Sequence, residues 1–118
     1  MIENSLNNKF DNLMQLIPAG WEKVILFSQI EKLHYNIFFY VKFKDKYIQC
    51  YNLETLCGTT EKEIDEFAED WYRALIEEKK DEKWVYCTAS INADYSFMVD
   101  YSYEDDFDLI SWKKKYLV

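Results

Sequence analysis

The constraint that most narrows the fold is the run NIFFYVKFKDKYIQCYN, residues 36–52. Ile37, Phe39, Val41 and Phe43 alternate with Phe38 and Tyr40, and after Lys44-Asp45 the alternation resumes with Ile48 and Cys50 opposed to Tyr47, Gln49 and Tyr51. A period of two marks a strand. Strands joined through so tight a turn must pair antiparallel, because a parallel partner needs a crossover of about a dozen residues or more. Upstream, Val24, Leu26 and Ile30 point one way while Ile25 and Phe27 point the other. That predicts a third strand in the same meander.

Helical periods flank the meander. Ile2, Leu6, Phe10, Leu13, Met14 and Ile17 recur at three- and four-residue steps, and Pro18-Ala19-Gly20 stops the helix they predict. After Gly58, Thr60 and Glu63 form a capping-box signature, followed by a stripe of Ile64, Phe67, Ala68, Trp71, Leu75 and Ile76. This stripe is expected to be core rather than a cofactor box. Acidic residues at its start and Lys79-Lys80 at its end complement the helix dipole.

KWVYCTASI and DYSFMVDYS read as two further strands joined through Asn92-Ala93-Asp94, with Val85, Cys87, Ala89 and Ile91 sharing a face. FDLISWKKKYLV places Leu109, Trp112 and Tyr116 on one side of a closing helix. The predicted order is helix-β-β-β-helix-β-β-helix: an α+β chain, residues 1–118 forming a single domain, with helices packed on one antiparallel five-stranded sheet. Aromatic residues occupy both faces of several strands. Phe38, Tyr40, Tyr47, Tyr51, Trp84, Tyr86, Tyr101 and Tyr103 exceed what three helices can cover, so some rings should stay exposed.

Charge limits the partners. Against 14 lysines and arginines stand 22 acidic residues, a formal charge of -8, which repels nucleic acid and favours a basic protein. The N-terminal stretch has neither a basic n-region nor an unbroken apolar run, so it reads as no signal peptide, and no stretch reads as a membrane span. Cys50, Cys57 and Cys87 are odd in number and lack C-x-x-C spacing, which argues against disulfides or a thiolate metal site and predicts a cytoplasmic location.

Catalytic patterns are sparse. His34 is the lone histidine and sits at a predicted turn, where a solvated imidazole is the ordinary outcome; a dyad with Cys50 or Cys87 is the competing reading. Two glycines cannot build a phosphate-binding loop, and zinc spacing is absent. The sequence therefore predicts no catalytic, cofactor-binding or metal residues.

One segment stands out: MVDYSYEDDFD, residues 98–108. Its Asp100, Glu104, Asp105, Asp106 and Asp108 do not fit an EF-hand begun at Asp100, which would need glycine where Asp105 stands and glutamate where Ser111 stands. Paired carboxylates can run acid–base chemistry when burial separates their pKa values, but nothing here predicts burial. Asp105, Asp106 and Asp108 fit the start of the last helix, where carboxylates accept backbone N–H bonds. Tyr101 and Tyr103 offer apolar area with a polar tip, as interfaces do. The competing reading is a solvated edge strand protected from aggregation by its charges. Asp100, Tyr101, Tyr103, Glu104, Asp105, Asp106 and Asp108 are taken as the candidate partner-binding surface. The acidic face of the central helix, Glu63, Asp65, Glu66, Glu69, Asp70, Glu77 and Glu78, could extend its field.

LIPAGWEKVILFSQI, NIFFYVKF and DYSYEDDFDLISWKKKYL together resemble the YezG/EsaG-like family of bacterial immunity proteins. The resemblance covers most of the chain, although the region after the third strand and the link before the last helix are abbreviated. It implies a cytosolic, non-enzymatic antitoxin that binds and neutralises a cognate toxin, commonly a nuclease domain of an LXG-type polymorphic toxin exported by a type VII system. No individual interface residue carries over. Two other classes stay open from the residues alone: a small enzyme using a carboxylate pair or His34, and a self-associating structural domain.

Overall fold

Strand β1 (Lys23–Ile30) is buried on both faces, and that burial sets the layering. Val24, Leu26 and Ile30 enter one hydrophobic cluster while Ile25 and Phe27 enter another. A strand apolar on both sides must lie inside a sheet covered on both sides. The computed structural model describes residues 3–31, 34–79, 82–104 and 106–118; Ile2, Lys80, Asp105 and the side chain of Leu6 lie outside them.

Among these residues the chain forms α1 (Glu3–Met14), β1, β2 (Tyr35–Phe43), β3 (Lys46–Gln49), a 3-10 turn (Cys50–Asn52), α2 (Leu53–Cys57), α3 (Glu61–Lys79), β4 (Tyr86–Asn92), β5 (Phe97–Ser102) and α4 (Leu109–Tyr116). The strands make one antiparallel sheet in the order β3-β2-β1-β4-β5. The α+β class and the five-stranded sheet are as the sequence predicts. No helix among the described residues is long and apolar enough to cross a membrane.

The larger cluster lies under α1 and α3, where Phe10, Leu13, Ile64, Phe67, Trp71 and Leu75 meet Val24, Leu26, Phe39, Val41, Cys87, Ala89 and Ile91. The other face carries Phe27, fully buried, ringed by Phe38, Tyr86, Phe107 and Trp112 at centroid distances of 4.8, 5.6, 4.4 and 5.7 Å. One tryptophan fastens a helix to each face through a buried hydroxyl. The Trp71 indole N–H donates to Ser28 Oγ at 2.8 Å on the first face, and the Trp112 indole N–H donates to Thr88 Oγ1 at 2.9 Å on the second. Each bond satisfies two buried polar groups that would otherwise be costly.

Several element limits differ from the expected ones, each for a local reason. Alternation through Cys50 and Tyr51 predicts strand, but the Gln49 side chain accepts the Tyr51 N–H and turns the chain into the 3-10 segment while Cys50 stays buried. The short α2 follows, closed by Gly58 at φ 81, whose N–H bonds the Glu54 carbonyl. Glycine, which carries no Cβ penalty, best suits that left-handed closure. α1 ends at Met14, and Ile17 is buried beyond it. Ile76 is 44% exposed, one position off the α3 stripe. Val85 precedes β4, and residues 93–96 form the β4–β5 turn, with Tyr95 at φ 68, so β5 starts at Phe97 rather than Asp94. The capping box does form: the Thr60 N–H donates to Glu63 Oε1 at 3.0 Å, and the Glu63 N–H donates to Thr60 Oγ1 at 3.3 Å.

Candidate partner-binding cleft

Helix α4 starts where the acidic segment ends because Asp108 caps it. Its carboxylate accepts the Ser111 N–H at 3.2 Å and the Ser111 hydroxyl at 2.6 Å. Those bonds, the hydroxyl's first, hold the Asp108 carboxyl below its ordinary pKa. Trp112, one turn on, sinks into the sheet, and Tyr116 follows on the same side. The helix therefore bridges the sheet at an offset, leaving an open cleft of about 450 Å³ along β4 and β5.

Tyr86 and Thr88 of β4, Asp100 of β5, the loop residues Asp106, Phe107 and Asp108, and Trp112, Lys115 and Tyr116 of α4 line this cleft. Across it the Tyr116 hydroxyl donates to Asp100 Oδ2 at 2.8 Å. Burial first, and then that bond to a carboxylate, raise the Tyr116 pKa above 10.0. The Tyr86 hydroxyl reaches Asp106 Oδ1 at 3.5 Å, long enough to be weak. Among the described residues of the lining Lys115 is the lone ammonium against three carboxylates, and it lies over the Tyr116 ring at 5.2 Å. The cleft is thus net negative and walled by rings. A lysine or arginine side chain suits such a wall on both counts, through charge and through cation–π contact.

The structure gathers part of the predicted surface. Asp100, Asp106 and Asp108 meet at the cleft. Tyr101 contributes to the wall, but its ring lies on the opposite side of β5, 5.7 Å from the buried Trp84. Tyr103 and Glu104 are exposed outside the lining. Asp105 lies outside the described residues. Of the surplus rings, Trp84 is fully covered and the seven others are half-buried or exposed, Tyr51 at 42% and Tyr103 at 63% among them. The surface expected from the sequence does not include Tyr86, Thr88, Lys115 or Tyr116, although Tyr86 is among the rings expected to stay exposed. Alternation in β4 does put Tyr86 and Thr88 opposite Cys87 and Ala89, but only strand register places Thr88 beside Asp100.

The competing chemistry finds little support in the geometry. His34 is exposed and pairs with Glu31. Burial raises the thiol pKa of Cys50 and pushes that of Cys87 up to about 12, so neither is a ready thiolate. Among the described residues no three His, Cys, Asp or Glu side chains converge as metal ligands.

An acidic α+β fold with a cleft that joins carboxylates to aromatic rings presents a surface chemically suited to a cationic protein partner. The family model for immunity protein YezG-like matches residues 3–117, and the chain belongs to that family. No curated protein matches it.

Proposed function

We propose that this chain is a cytoplasmic antitoxin that binds one cognate, cationic toxin domain and silences it by stoichiometric occlusion, without catalysing any reaction. Membership of an immunity protein family supports the role. The observation that carries the mechanism is the cleft, in which Asp100, Asp106 and Asp108 stand beside Tyr86 and Tyr116. A nuclease holds phosphates with basic side chains, so a carboxylate-and-ring surface can occupy that site in place of nucleic acid. The net charge of -8 would speed encounter, and ring burial would slow release. Resemblance to the YezG/EsaG-like proteins favours a nuclease domain of the LXG type delivered by type VII secretion.

Co-expression with the toxin encoded beside this chain tests the reading. Survival of the host and co-purification of the two proteins at equal stoichiometry are expected. Continued killing, or a toxin that elutes alone, would overturn it.

A further inference from the structure

The two edges of the sheet are unlike. β3 is four residues long, is bordered by Lys42, Lys44 and Lys46, and has Tyr47 bonded through its hydroxyl to the Val118 carbonyl at 3.1 Å. Short, lysine-guarded edges resist pairing with another chain. β5 is six residues long and carries neither lysine nor proline, and among the described residues no strand lies on its outer side.

Two hydrogen bonds fix which β5 groups face outward. The Asn92 N–H donates to the Ser96 carbonyl at 2.8 Å, and the Val85 N–H donates to the Ser102 carbonyl at 2.7 Å. The register between them pairs Ser90 with Met98 and Thr88 with Asp100. Met98, Asp100 and Ser102 therefore exchange bonds with β4, while the N–H and C=O groups of Phe97 and Val99 point away from the sheet. On the cleft side of the same strand, Met98 is 66% exposed and Asp100 opens into the cleft.

We propose that the outer edge of β5 accepts an extended, lysine- or arginine-bearing segment of the toxin as a sixth strand, an inference that rests on the toxin-binding reading above. Backbone bonds to Phe97 and Val99 would supply affinity, and a basic side chain opposite Asp100 would enter the acidic cleft and set specificity. Charge selects this occupant over a second copy of the chain. Antiparallel self-pairing would instead bring two Asp100-bearing edges together, on molecules that each carry -8.

Val99→Pro tests the edge, because it deletes an outward N–H without removing a β4–β5 bond, a position where edge strands tolerate proline. The expected result is an intact circular dichroism spectrum with toxin affinity lowered about tenfold or more. Wild-type affinity in a folded variant would overturn the proposal. Hydrogen exchange at the Val99 amide of the wild-type chain covers the case in which the variant does not fold. Slowing on addition of the toxin supports a sixth strand; unchanged exchange, or slowing that follows the concentration of the isolated chain, rules it out. A wild-type chain that binds no toxin would instead fell the antitoxin reading itself.

Discussion

Tyr116 joins the two walls of the cleft through one hydroxyl, and its bond to Asp100 is a clean target. Tyr116→Phe keeps the ring over Trp112 and should lower unfolding free energy by about 1 kcal/mol, read by urea titration near neutral pH. The tyrosine pKa shifts also have a sign. Burial and the Asp100 carboxylate raise the folded value of Tyr116 above 10.0; burial and Asp65 raise that of Tyr51 to about 12. The unfolded chain ionises first as pH rises, so these contributions are whole below pH 10.0 and fade above it, for Tyr51 by about pH 12. Urea titrations at pH about 9 and about 11 should therefore show wild-type stability falling more steeply than that of the Tyr51→Phe/Tyr116→Phe variant. The acidic residues separate by task in the same way. Asp108 caps α4 and was readable as a cap from its place before the helix, whereas the Asp100–Tyr116 pair joins residues sixteen apart through strand register that no local pattern encodes.

At the scale of elements, α4 is an eight-residue helix that holds its place through Trp112. Trp112→Ala would leave Phe27 and Phe38 uncovered and the Thr88 hydroxyl without its donor, at a cost of about 3–5 kcal/mol. A urea titration followed by circular dichroism measures that loss. The α3 cap is milder: Thr60→Ala should cost about 1 kcal/mol in the same experiment. Strands β1 and β2 and helix α3 were legible because their apolar periods are long and unmixed. The 3-10 turn and α2 were not, since Cys50 and Tyr51 continue the strand alternation and the Gln49 side chain that ends it acts through a single hydrogen bond. Gly58 was the available signal, a left-handed glycine closing a short helix.

For the whole molecule, α1 and α3 cover the larger cluster on one face of the sheet, and the short α4 cannot fill the other. That mismatch produces the cleft. The sequence reveals it only as a surplus of rings, because how far a helix covers a sheet depends on its offset rather than on its composition. Charge acts at the same scale. Replacing Glu104 and Asp106 by lysine alters the field without touching the α4 cap or the Tyr116 bond, so stopped-flow association with the toxin should slow and depend less on salt. The most direct measurement titrates this chain into a fixed amount of active toxin and follows the toxin's residual activity. Occlusion predicts a straight decline to zero at one chain per toxin; silencing by substoichiometric amounts, or activity that persists beyond equivalence, would contradict it.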